Sequence, residues 1–257
     1  MLGIAASMAV ASPATAGQRP TTAASARAVK PVRDASPAKA PPPANQLYGV
    51  SCPSAKHCVA VGINENAADA GTGGGALVQT WNGKTWASFA PKAPKGALSA
   101  TLLGVSCTAV KNCVAVGVGG DGAHGGLTSF AEHWNGTSWS SAGKISWPNG
   151  TSHPYLVAVS CRSANSCVAV GFIDADLADR GHTGKAATTS WNGKTWTAST
   201  VPAPGKGKGK ASLFSEVSCP AAGGCLAVGQ LGPYNSDEGS GLAGFWSGTS
   251  WKLGTTP

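Results

Sequence analysis

Eight of the eleven acidic residues, Glu65, Asp69, Asp121, Asp174, Asp176, Asp179, Asp237 and Glu238, fall in four polar segments that also collect Gly, Asn and Ser. Carboxylates gathered this way suit two chemistries. Several oxygens together hold a hard divalent cation, and two carboxyls at a suitable separation hydrolyse a glycosidic bond. Asp174, Asp176 and Asp179 are the best placed for a cation, yet Asp-Ala-Asp-Leu-Ala-Asp matches no calcium loop and the second segment offers Asp121 alone. No metal site and no cofactor are expected. For hydrolysis nothing in the spacing selects a pair, and a sialidase-type site would need an arginine cluster where residues 47–257 hold only Arg162 and Arg180. The histidines His57, His124, His133, His153 and His182 form no acid–base or metal spacing. The run Gly205-Lys206-Gly207-Lys208-Gly209-Lys210 lacks the G-x4-G-K-[ST] of a phosphate loop and reads as a cationic connection. Lys92, Lys95 and Lys144 lie in the corresponding connections, and Trp147 stands in one of them as a candidate contact residue.

These residues sit on a unit that occurs four times. Val-Ser-Cys is followed after five residues by Cys-x-Ala-Val-Gly and later by a Trp pair, and the first cysteines of successive units are 55, 54 and 58 residues apart. Self-similarity at this period means stacked supersecondary units. Each unit reads as four short strands: 47–52 and 58–62 in the first repeat, then one ending at Trp81 and one beginning at Trp86. Trp134/Trp139, Trp191/Trp196 and Trp246/Trp251 mark the same places in the other units. A Gly between each pair suggests a tight hairpin needing φ > 0. Four strands in some 53 residues is the arithmetic of a β-propeller blade. The fold expected is therefore an all-β propeller of four blades, at 47–101, 102–155, 156–212 and 213–257. Cys52–Cys58, Cys107–Cys113, Cys161–Cys167 and Cys219–Cys225 would each close one hairpin as a disulfide, since no His recurs in phase to complete a metal site.

Composition bounds the setting. Among 257 residues only 12% are charged, with 36 Gly and 17 Pro, which favours strands and turns over helices. Half of the formal charge of +8 belongs to residues 17–46, where Arg19, Arg27, Lys30, Arg33 and Lys39 face Asp34 alone. That Pro/Ala-rich stretch is expected to be a disordered linker, so the basic balance does not indicate nucleic acid. Residues 2–11 are apolar and Ala14-Thr15-Ala16 is an A-x-A signal, so residues 1–16 read as a secretory signal peptide cleaved after Ala16. Eight paired cysteines agree with an oxidising compartment. No apolar run is long enough for a transmembrane helix.

The pattern V-S-C-x5-C-[VL]-A-V-G with W-[NS]-G-x-[TS]-W resembles a class of secreted bacterial repeat proteins of the β-propeller type, over about residues 47–257. Gly83-Lys84-Thr85-Trp86 and its counterparts also resemble the G-x-[TS]-W end of the Asp-box turn of sialidase-type propellers, with Trp81 where that box has Asp. The shared part is a turn, so the resemblance implies a fold and no activity. In such a fold the strand two-to-three loops and the blade connections share one face. Asp121, Asp174, Asp176, Asp179, Asp237, Glu238, Trp147, Lys206, Lys208 and Lys210 are thus the expected binding residues; the plainer alternative is that polar loops simply collect charge. The function expected is a secreted, non-catalytic binding or structural module of the envelope or extracellular space, with a glycan or anionic wall polymer as partner. The alternative is a carbohydrate-active hydrolase or lyase using the loop acids. A monomer is expected, with closure by self-association as the variant.

Overall fold

The computed structural model describes residues 44–65, 74–120, 126–148, 151, 153–173, 184–201, 211–232 and 239–255. The expected signal peptide and nearly all of the linker lie outside these residues. The described chain is all strand and turn, in four sheets. The first holds β1 (Asn45–Ser54), β2 (His57–Asn64), β3 (Gly75–Trp81) and β4 (Trp86–Phe89). The second holds β5 (Ser99–Ala109), β6 (Asn112–Gly120), β7 (Leu127–Trp134) and β8 (Trp139–Ser141). After β9 (Ile145–Ser146) come β10 (Pro154–Ser163), β11 (Ser166–Ile173), β12 (Lys185–Trp191) and β13 (Trp196–Thr200). The last sheet is β14 (Ser212–Ser218), β15 (Cys225–Leu231), β16 (Ser240–Trp246) and β17 (Trp251–Thr255). Each group of four is an antiparallel meander in chain order. One departure from four strands per unit occurs. β9, from the connection after the second unit, pairs parallel with β13, so the third sheet has five strands. Ile145 is buried there, which gives the connection an apolar reason to lie down on the next sheet.

The local signals have physical causes. All four cysteine pairs are bonded within their own hairpins, and Cys107 pairs directly opposite Cys113 across the ladder. In the Trp hairpins Gly83, Gly136, Gly193 and Gly248 adopt φ of 93°, 95°, 91° and 104°. Asn82 Oδ1 accepts both the Lys84 and Thr85 N–H at 2.9 Å, and Asn135 and Asn192 do the same in their turns. The paired indoles then meet at 5.3 to 5.7 Å between ring centroids.

The glycine ending Cys-x-Ala-Val-Gly has another role. The first strand of each unit carries an irregularity just after Leu47, Leu102, Leu156 or Phe214. That β-bulge bends the strand over its neighbour. A Cβ on Gly62, Gly117, Gly171 or Gly229 would overlap the carbonyl oxygen of Gln46, Thr101, Tyr155 or Leu213, so only glycine fits.

Successive sheets pack face to face. Val59, Val61, Ala76 and Val78 of the first sheet bury against Leu102, Val105, Cys113 and Ala115 of the second. Val114 and Val116 meet Leu156, Val159 and Ala169 in the same way, and Val168 and Val170 meet Phe214, Val217 and Ala227. Each sheet thus has a leading face, carrying residues such as Leu102 and Val105, and a trailing face, carrying residues such as Val114 and Val116.

A polar stitch accompanies each junction. The Ser51 hydroxyl accepts the Cys107 N–H at 2.9 Å, Ser106 accepts that of Cys161 at 3.0 Å, and Ser160 accepts that of Cys219 at 2.9 Å. The serine of Val-Ser-Cys therefore joins one unit to the next. Ser106→Ala leaves the Cys161 N–H without its acceptor and is expected to lower stability by about 1 to 2 kcal/mol, read from the urea midpoint at unchanged m-value.

Candidate functional site

Of the ten binding residues expected from the sequence, Trp147 alone is described. Asp121, Asp174, Asp176, Asp179, Asp237, Glu238, Lys206, Lys208 and Lys210 lie outside the described residues. Trp147 is half-buried against the cluster of Ile145, Leu156 and Trp196, and its Nε1–H donates to Ser129 Oγ at 2.8 Å. Its indole ties the connection to the second sheet. Its polar atom is already occupied.

The site residue that sequence reasoning passed over is Glu132. Strand β7 alternates between the two faces of its sheet, so Glu132, directly opposite Ala115, lies on the leading face. The same position holds Gln79, Thr189 and Gly244 in the other units. Its only sequence signal was lying outside the four polar segments that collect eight of the eleven acids.

Glu132 is 6% exposed. Burial raises its carboxyl from the ordinary 4.5 to about 7, because the charged form loses hydration. The group binds a proton more tightly in the folded than in the unfolded chain. Its contribution to stability is therefore fully present below about pH 4.5 and is lost as pH rises towards 7. A melting midpoint that falls across that interval in the native chain, and flattens in Glu132→Gln, is the expected result.

Glu132 lines a groove of about 1230 Å³ between the first and second sheets, together with Phe89, Trp139, Lys92, Lys95 and Lys144. Phe89 at the end of β4 reaches Trp134, 5.9 Å away between centroids, and forms an aromatic edge to this junction. The second indole of each Trp pair shows how the groove differs from its relatives. Trp196 Nε1 donates to Ala142 O at 3.1 Å, just past the end of β8, and Trp251 Nε1 to Thr188 Oγ1 of β12 at 3.2 Å, in each case across to the preceding unit. Trp139 Nε1 is buried and has no acceptor among the described residues. A buried donor left unpaired costs about 1 to 3 kcal/mol and calls for an explanation.

A second groove of about 610 Å³ lies between the third and fourth sheets. Its walls are unlike each other: hydroxyls of Thr188, Ser190, Thr197 and Ser199 face the indoles of Trp246 and Trp251. Here Thr188 Oγ1 already receives the Trp251 N–H. The first groove thus combines an unspent N–H, a carboxyl that stays protonated to near-neutral pH, and three lysines. An arrangement of this kind can accept a polar, anion-bearing ligand over an aromatic surface.

No family model matches the chain, and no curated protein does. Among solved structures it is similar to YCF48 bound to D1 peptide, at 15% identity and a TM-score of 0.43, over 82% of this chain and 56% of that one. It is similar also to the GH74 xyloglucanase from Xanthomonas campestris, at 10% identity and a TM-score of 0.40, over 74% of this chain and 26% of that one. The chain spans just over half of the first structure's length and about a quarter of the second's.

No helix among the described residues is long and apolar enough to cross a membrane.

Proposed function

We propose that the chain is a secreted, non-catalytic binding module of the β-propeller type whose groove between the first and second sheets takes an anionic glycan or wall polymer. The observation that carries this reading is the buried Trp139 Nε1–H, which lacks an acceptor among the described residues, in a groove bordered by Lys92, Lys95 and Lys144. A sugar hydroxyl or carboxylate satisfies such a donor, while the lysines attract the polymer's charge. Four bonded cysteine pairs and the A-x-A segment support export.

The second reading is a hydrolase. A carboxyl titrating near neutrality is what a general acid requires. Yet hydrolysis by the common routes uses two carboxyls, and among the described lining residues Glu132 is the sole carboxylate.

The test is retention of the full chain on polygalacturonate, wall teichoic acid fractions and neutral xylan, with the supernatants assayed for released sugar. Retention on the acidic polymers, weakened by salt and reduced at least about tenfold by joint replacement of Lys92, Lys95 and Lys144 with alanine, supports the module. Equal retention on xylan overturns the anionic reading. Released product that disappears in Glu132→Gln would make the protein an enzyme.

A further inference from the structure

The three junctions between sheets repeat one set of contacts, and the two outermost faces carry the same set without a partner among the described residues. On the trailing side, Val61, Val116 and Val170 are 0% exposed, whereas Val228 at the same place in the last sheet is 43% exposed and its neighbour Leu226 is 52% exposed. On the leading side, Leu102, Leu156 and Phe214 are 0% exposed, whereas Leu47 is 47% and Val50 is 64% exposed. Phe245, paired with Leu226, and Tyr48 extend the two patches. The polar stitch is unfinished at the same ends. Among the described residues Ser218, in register with Ser51, Ser106 and Ser160, receives no N–H, and the Cys52 N–H meets no inter-sheet hydroxyl. Packing of β1 and β2 on β5, of β5 and β6 on β10, and of β10 and β11 on β14 has no counterpart of that extent between the last sheet and the first.

We propose that the trailing face of β14–β17 docks on the leading face of β1–β4 of a second copy of this chain, repeating the internal junction. The surfaces differ from each other and match in kind, so the contact is head-to-tail. Each internal junction supplies its template: valines of one sheet against Leu and Val of the next, with a serine hydroxyl taking a cysteine N–H.

One residue sets this junction apart. Where the first strands approach most closely, the internal positions hold Gly49, Gly104 and Ala158, and a Cβ on Gly49 would already stand 2.9 Å from Leu103 O. The last sheet has Glu216 there, exposed and opposite Val228. A carboxylate at that spot keeps the contact looser than the internal ones, so association is reversible and the apolar end is guarded against uncontrolled stacking.

Sedimentation velocity of the full chain over a concentration series tests this, with Val50→Glu and Val228→Glu as exposed-site variants. Near-UV circular dichroism and the absence of free thiols confirm their folding. The native chain is expected to associate reversibly and each variant alone to stay monomeric. Their equimolar mixture should form dimers, because the intact trailing face of one variant meets the intact leading face of the other. Glu216→Ala is expected to tighten self-association about tenfold. A native chain that stays monomeric well above micromolar concentration, single variants that still associate, or a mixture that stays monomeric would each overturn the proposal. None of these readings involves the groove or its ligand.

Discussion

Gly117→Ala is expected to destabilise the protein by at least about 4 kcal/mol, enough to leave much of it unfolded. The added Cβ would overlap the Thr101 carbonyl oxygen, and its next neighbours are also backbone atoms, of Thr101 and Leu102. Backbone in a bulge between two packed sheets has little room to retreat, whereas a side-chain tip would rotate away. Leu102, fully buried against the first sheet, sits on that bulge and would be moved with it. The control is Gly254→Ala, where nothing lies within 4 Å of the new atom; it should fall within about 0.5 kcal/mol of the native chain. Urea unfolding of the two variants side by side decides the matter. Equal midpoints would mean that the bulge is soft and that the glycine is there for some other reason.

Reduction of all four disulfides should unfold the described sheets under conditions in which the oxidised protein is stable. Each bond closes a hairpin with a sequence separation of 6. For so short a loop the chain-entropy model assigns about 2 kcal/mol per bond. Four such contributions are comparable with the whole stability of a typical domain, about 5 to 15 kcal/mol. The comparison within the molecule is sharper. Cys107→Ala combined with Cys113→Ala should cost about 2 kcal/mol and leave a folded chain, since the Leu102, Val105 and Ala115 packing around the bond persists. Near-UV circular dichroism against reductant concentration checks the first statement, and a urea titration of the double variant checks the second. A fully reduced chain with native near-UV signal would show that sheet packing alone suffices.

The hairpin features were legible in the sequence because their physics is local. A cysteine six residues from its partner, a glycine inside a Trp-x4-Trp turn and a strand ending at its first Trp are each fixed by neighbours along the chain, and four copies make the pattern readable. Gly83 and its equivalents do adopt the positive φ expected of them. The glycine of Cys-x-Ala-Val-Gly was visible as a motif but not as a close approach, because the carbonyl that excludes a side chain belongs to the bulged neighbouring strand. Trp147 was legible as a residue outside the repeat. Its bond to Ser129 was not, because the connection follows no periodic rule.

What the amino-acid sequence determined by itself is the unit: four antiparallel meanders, each with one disulfide and one Trp hairpin, whose registers depend on residues a few positions apart. The tertiary structure decided what the units do to one another. Which face of each meander meets the next, that Ser51 serves Cys107, that β9 crosses to the third sheet, and that buried Glu132 shares a groove with the Trp139 indole depend on atoms brought together from more than one unit. The same holds for the exposed faces at Val50 and Val228, which are identical in type to buried residues and differ in having no sheet against them among the described residues. Residue type reports what a position can bury; only the neighbouring sheet decides whether it does.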